Sequence, residues 1–326
     1  MSECVTITDQ SSVGEARRTG LLAAERLGLD TVQCGEFALL ATEISRNVLL
    51  HGGGGHTIIF GSSNDFGTVA RILALDNGPG IADVSQAMED GYSTAGTMGV
   101  GLGAIKRIAT SMEIFTARNG TIVFVELTAT APRNGFQIAG LTAPYPGERF
   151  CGDGWAYHQS DGRILILLVD GLGHGPDAAD AAAEAIAVFR KRVDRSPPEI
   201  LSHIHDALKK TRGAAGAIAE IRSSDNSLAF AGVGNTAAVL VSPRISRSLI
   251  SHNGTLGMAT PKIQEFKVEW PDDGILIMHS DGLQSKWDLS SYAGLLARHA
   301  AVIGGALFRD FRRQRDDASV VVVKAR

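Results

Sequence analysis

The apolar run Ile164–Val169 stops abruptly on Asp170-Gly171. An acidic residue at the edge of an apolar or turn-rich stretch recurs through the second half of the chain. It stands in Gly152-Asp153-Gly154, in Ser280-Asp281-Gly282 after Ile275–Met278, and in Asp316-Asp317 before Ser319–Val323. Short apolar runs bounded by turn formers read as buried strands. Any one Asp-Gly pair is an ordinary hairpin turn. Four carboxylates at strand ends of one sheet system can converge, however, and crowded carboxylates repel one another unless hard divalent cations relieve the repulsion. Two bridged cations there would lower the pKa of a shared water and clamp a phosphoryl group for in-line attack.

The chain has 326 residues, enough for two domains. Hydrophobic residues make up 44% and charged residues 20%, which excludes a disordered or fibrous chain. Net charge is −4. Cut near Pro132, the first part carries 8 basic and 14 acidic residues and the remainder 23 and 21. Neither half has the basic excess of a nucleic-acid binder. No apolar run approaches membrane-spanning length, and no signal peptide is expected at Met1–Leu22. The three cysteines, Cys4, Cys34 and Cys151, form neither a disulfide framework nor a zinc pattern, so a reducing cytoplasm is the expected location.

Helices are expected at Gly14–Leu27, Cys34–Leu50, Ala178–Val193 and Pro198–Lys210, with a further helix from the glycines near 96–103 through Ile108. Strands are expected at Thr57–Phe60, Val69–Leu75, Thr121–Leu127, Ile164–Val169, Ala217–Ile221, Ala237–Val241, Gly274–Met278 and Ser319–Val323. Ala131-Pro132-Arg133-Asn134-Gly135 reads as a linker.

The first half carries a second constellation. Glu43 and Asn47, four apart on a helix, share one face. Asp76-Asn77-Gly78-Pro79-Gly80 follows a strand. Gly99-Val100-Gly101-Leu102-Gly103 opens a helix, where backbone N–H groups favour a phosphate. A Rossmann reading fails, because loop rather than strand precedes these glycines and no acidic residue follows at the ribose-binding distance. Gly52–Gly55 reads as a connector, and His51 and His56 as surface residues.

The ordered trio resembles the GHKL ATPase/kinase superfamily. The stretch from Asp76 through Ala87-Met88-Glu89-Asp90-Gly91-Tyr92-Ser93-Thr94 narrows this to RsbT-like switch kinases. That resemblance implies a Bergerat α/β sandwich over residues 1–131 that binds ATP and Mg²⁺. Asn47 would hold the metal, Glu43 would be the base toward the acceptor hydroxyl and Asp76 would accept from the adenine amino group. Gly78 and Gly80 would shape the pocket, and Gly99, Gly101 and Gly103 would form the lid. Residues 136–326 resemble the SpoIIE/RsbX branch of the PPM serine/threonine phosphatases. The words that carry this are Val169-Asp170-Gly171-Leu172-Gly173-His174-Gly175, Ala231-Gly232-Val233-Gly234-Asn235, His279-Ser280-Asp281-Gly282-Leu283 and Asp316-Asp317-Ala318-Ser319. The resemblance implies an αββα sandwich with two Mn²⁺ or Mg²⁺ ions. Asp153 and Asp170 would bridge them, the Gly171 carbonyl would contribute, and Asp281 and Asp316 would complete the set, Asp317 being the lesser ligand of its pair.

The fold expected is therefore a two-domain α/β (α+β) chain. It would oppose a serine/threonine kinase to a phosphatase acting on STAS-domain regulators, with no nucleic-acid or membrane partner. The alternative keeps the phosphatase and makes the first domain a non-catalytic, ATP-binding module that captures a partner. His174 reads as a rim residue, and His203 and His205 face apart on a helix. Arg149 and Arg163 are candidates, by sequence position, to grip the substrate phosphate.

Overall fold

The computed structural model describes residues 2–88, 101–117, 119–133, 135–160, 162–242, 244–258 and 263–325. The chain forms two compact units, one of Met1–Gly135 with Leu289–Arg309, the other of Phe136–Asp288 with Asp310–Arg326. No helix among the described residues is long and apolar enough to cross a membrane.

The first unit runs β1 (Ser2–Ile7), α1 (Gln10–Leu27), α2 (Thr31–Gly52), β2 (Gly55–Asn64), β3 (Gly67–Asp76), α3 (Val84–Ala87), α4 (Gly101–Ile108), β4 (Ser111–Ala117) and β5 (Gly120–Thr130). Its sheet has the order β1-β2-β3-β5-β4, and every ladder is antiparallel. Asp9 and Asp30 start α1 and α2 through capping boxes with Ser12 and Gln33, and left-handed Gly28 and Gly53 end them. One face of β3 and β5 (Ile72, Ala74, Val123, Val125) packs with Phe37, Leu40, Ala41 and Ile44 of α2. The alternating residues of the same strands point the other way. There Leu73, Leu75 and Ile122 lie against Gly305 of α7 (Ala300–Phe311), and Phe124 stacks on His299 with ring centroids 4.3 Å apart. A segment from late in the chain thus supplies the third layer of the first unit.

The second unit comprises β6 (Phe136–Ala143), β7 (Asp153–Ser160), β8 (Arg163–Gly171), α5 (Pro176–Lys191), α6 (Pro197–Leu208), β9 (Ala214–Arg222), β10 (Ser227–Val233), β11 (Ala237–Val241), β12 (Ser246–Leu249), β13 (Phe266–Glu269), β14 (Ile275–His279) and β15 (Ala318–Ala325). Two antiparallel sheets, β13-β10-β9-β8-β7 and β12-β11-β14-β15-β6, face each other. Ile164, Ile166, Leu168 and Phe230 of the first sheet meet Ile138, Leu240, Leu276, Met278 and Val321 of the second. The opposite face of β8 (Leu165, Leu167, Val169) packs on Ala181, Ala185, Phe189, Ile200 and Ile204 of α5 and α6. Burial on both faces is why Ile164–Val169 reads as an unbroken apolar run. The architecture is α+β with antiparallel sheets. Helices α5 and α6 cover one of its sheets, and the outward-facing Leu141, Ile277, Val320 and Val322 of the other are also fully buried.

Candidate active site

The register of β7 against β8 decides the geometry of the acidic set. Asp153 and Asp170 are direct cross-strand partners, so their side chains start about 5 Å apart on one face. Gly171 follows at the end of β8, opposite Ala214 of β9. A Cβ on Gly171 would fall 2.3 Å from the Ala178 carbonyl oxygen, so only glycine lets α5 close over this strand end. Asp281 follows β14 and Asp316 precedes β15, neighbouring strands of the second sheet. Ser280, fully buried, joins the two sheets: its hydroxyl donates to Asp153 and accepts the Ser319 backbone N–H at 3.0 Å. Asn235, just past β10, donates its amide to Asp281.

The electrostatics show that these acids share one field. Burial pushes Asp153 up to about 7, against the hydroxyls of Ser280 and Ser319, and the charges of Asp317 and Asp281 push it further. Burial, then Asp153, Asp281, Asp316 and Asp317, raise Asp170 to about 9. Asp316 is raised by burial and by Asp281, with His174 opposing. Among the described residues no three His, Cys, Asp or Glu side chains are placed to hold one ion; the acids are spread over two strand pairs. All donors are oxygens, the chemistry Mg²⁺ and Mn²⁺ take. Asp153, Asp170, Asp281, Asp316 and the Gly171 carbonyl therefore fit such ions. Both oxygens of Asp317 are occupied, accepting from Tyr145 N–H at 2.8 Å and Gly152 N–H at 2.9 Å. Burial, then the charges of Asp153 and Asp317, raise the pKa of the Cys151 thiol beside them, which disfavours the thiolate.

At the rim, His174 donates through Nδ1 to Glu148 at 3.1 Å and stacks on Tyr145 with ring centroids 4.6 Å apart. Arg163 does not belong here. It stands at the far end of β8, about 23 Å along the strand from Asp170, bound to Glu220 and to the carbonyls of Val193 and Arg195. His205 is buried and accepts or shares the Gly257 N–H at 3.1 Å. Ser280, Asn235 and Glu148 carry no periodic signature; Ser280 and Asn235 stood in the sequence only inside the words His279–Leu283 and Ala231–Asn235, with no role of their own.

In the first unit, Asp76 ends β3 almost fully buried. Its Oδ1 accepts Gly78 N–H at 2.9 Å and Thr121 N–H at 3.1 Å, and Oδ2 accepts from no described residue. Burial raises its pKa, which the two N–H groups oppose. Gly52 and Gly78 leave the room it occupies, since a Cβ on Gly52 would lie 2.4 Å from that of Asp76. Gly80 turns left-handed against the Ala117 carbonyl. Glu43 and Asn47 share a half-buried face of α2, and Asn47 lies about 7.5 Å along the axis from Gly52. Glu43 is ion-paired to Arg46 at 3.1 Å. Gly101 and Gly103 fall in the first turn of α4, and Gly99 lies outside the described residues.

A family model described as Stage II sporulation protein E (SpoIIE) matches residues 160–326, just over half of the chain. The chain belongs to the SpoIIE family. Membership places it among PP2C-type serine/threonine phosphatases, which use Mg²⁺ or Mn²⁺. The serine/threonine-protein kinase RsbT of Bacillus subtilis (strain 168) is 36% identical over 105 residues, 32% of this chain and 79% of that protein. A solved chain from a bacterial stressosome adapted to control secondary messenger signalling aligns at a TM-score of 0.56 and 26% identity, covering 59% of this SpoIIE-family chain and 100% of that one. RsbX in complex with magnesium aligns at 0.54 and 20% identity, covering 66% and 100%. The latter likeness is one of fold.

Proposed function

We propose that this SpoIIE-family chain hydrolyses phosphoserine or phosphothreonine in a STAS-domain regulatory protein, and that its first unit is an ATP-dependent serine/threonine kinase acting on the same class of partner. The observation that carries the phosphatase half is the face-to-face placement of Asp153 and Asp170, inside one field with Asp281 and Asp316. When bound, two Mn²⁺ or Mg²⁺ ions supply Lewis-acid polarisation of the phosphoryl group and acidify water. The chain's own residues do the rest. Asp153, Asp170, Asp281 and Asp316 would hold the ions, and Ser280 and Asn235 fix two of those carboxylates in orientation.

For the kinase half, the similarity to RsbT supports the reading. Asp76, with one carboxylate oxygen anchored by backbone N–H groups, is suited to accept from the adenine amino group. Asn47 would hold Mg²⁺, Glu43 would take the hydroxyl proton, and phosphoryl transfer would rest on positioning and charge neutralisation. One observation favours the alternative of a nucleotide-binding, partner-capturing module: Glu43 is engaged by Arg46.

A single assay separates the two. Asp281→Asn protein, disabled in dephosphorylation, is mixed with labelled ATP, Mg²⁺ and a STAS-domain protein. Label on the partner that disappears in Glu43→Ala/Asp281→Asn supports the kinase. ATP binding without label supports the capture module. Absence of Mn²⁺-dependent phosphopeptide hydrolysis by the unaltered chain would falsify the phosphatase half.

A further inference from the structure

Cations held by the acids would meet only some of a phosphate's oxygens, and a cationic side chain at the mouth of the cluster could hold the others. Arg163 is consumed at the far end of β8, and Arg312 donates to the Pro144 carbonyl at 2.8 Å. Arg212 is placed differently. It sits on the turn between α6 and β9, two residues before Ala214, the cross-strand partner of Gly171. A Cβ on Gly173 would lie 3.1 Å from Arg212 Nη1, so the guanidinium rests on the glycine of the loop that follows Asp170. Gly173 is left-handed, with φ of 85°. A side chain there would meet both backbone strain and the arginine.

The turn that carries Arg212 is stiff. Thr211 Oγ1 accepts Gly213 N–H at 3.0 Å and donates to the Leu208 carbonyl at 2.8 Å. The Leu172 N–H donates to the Gly213 carbonyl at 3.0 Å, which ties the metal-site loop to the arginine's own turn. Arg212 Nη2 pairs with Asp177 Oδ2 at 2.8 Å, and both side chains are more than half exposed. An exposed pair of this kind is weak, and a guanidinium has further N–H groups beyond the one it uses.

Resting on the phosphatase reading, we propose that Arg212 is the residue that grips the substrate's phosphate beside the acidic cluster, with Asp177 holding it in place until substrate arrives. The planar fork donates to two phosphate oxygens, and the dianion outcompetes one exposed carboxylate. Such a grip suits a phosphomonoester, which offers the fork two terminal oxygens.

The test uses the full chain with Mn²⁺, and compares the unaltered protein with Arg212→Ala and Arg212→Lys on a phosphoserine peptide. Arg212→Ala should raise KM about tenfold or more, the loss expected for a charge-assisted hydrogen bond to an ionised partner. The inhibition constant of inorganic phosphate should rise by the same factor, while thermal stability and the Mn²⁺ half-saturation stay unchanged. Arg212→Lys should recover part of the loss. Calorimetric binding of inorganic phosphate to the Mn²⁺-loaded proteins reads the grip without turnover. Equal phosphate affinity and equal KM in Arg212→Ala and the unaltered chain overturn the role of Arg212 and leave the phosphatase reading standing. Phosphate binding that depends on Arg212, in a chain with no hydrolysis, supports the grip and overturns the phosphatase reading instead.

Discussion

Ser280 shows how much of the proposed metal site rests on a neutral side chain. Its buried hydroxyl is donor to Asp153 and acceptor to Ser319 N–H, so Ser280→Ala strips a partner from each. The metal-free protein should lose about 1–3 kcal/mol of stability, read by urea unfolding in EDTA. The Mn²⁺ concentration for half-maximal peptide hydrolysis should rise roughly 10- to 100-fold. A large stability loss with unchanged Mn²⁺ dependence would make Ser280 a packing residue only. Asp76 makes a prediction of opposite kind, about pH. Burial raises its pKa, so it protonates at higher pH than an ordinary carboxylate, and the protonated form loses acceptor capacity. ATP binding should therefore weaken on acidification before ordinary carboxylates titrate. Asp76→Asn should bind at least about tenfold more weakly and lose that pH dependence, both measured by calorimetry. The acids themselves were legible in the sequence because each stands at the edge of an apolar or turn-rich stretch. Their supports were not, since Ser280, Asn235 and Arg212 sit at turns where no periodicity distinguishes a ligand's partner from a loop residue.

At the level of elements, legibility followed burial pattern. β8 and β15 are buried on both faces and read as apolar runs, and α5 and α6 carry a clear apolar face. The edge strands β1, β12 and β13 alternate too briefly to stand out. α7 escaped for another reason: Ala300 through Phe308 are all buried, so it has no polar face to set a helical period. At Gly305 that helix approaches β3 closely, with a Cβ there 3.0 Å from both Leu73 Cδ2 and Leu75 Cδ2. Gly305→Ala should change stability by less than about 1 kcal/mol, because better helix propensity offsets the tight contact. Gly305→Val adds branched bulk against the same leucines and should destabilise by about 1–3 kcal/mol. Equal urea midpoints for the two variants would show that α7 is not pressed against β3.

For the molecule as a whole, the linker at 131–135 looks like a clean boundary, yet the chain leaves the second unit after Asp288 and returns to it at Asp310. That excursion lies in sequence between Asp281 and Asp316, and it delivers α7 to the sheet face of Leu73, Leu75, Ile122 and Phe124. Cutting at residue 135 therefore bares this face in the first piece and leaves the covering segment stranded in the other. Burial of a large apolar side chain contributes about 1.5–3 kcal/mol, so uncovering several of them approaches the entire 5–15 kcal/mol that holds an ordinary domain folded. Residues 1–135 alone should aggregate or unfold at clearly lower urea concentration. The same fragment joined through a flexible Gly/Ser linker to Leu289–Arg309 should be monomeric and recover ATP binding. The comparison needs size-exclusion chromatography, urea unfolding and ATP calorimetry on the two fragments. If residues 1–135 are monomeric, as stable as the extended fragment and equal in ATP affinity, the late segment is an ornament on a self-sufficient unit. If they are not, the first unit depends on a segment that lies in sequence between Asp281 and Asp316, and a cut at the linker removes it.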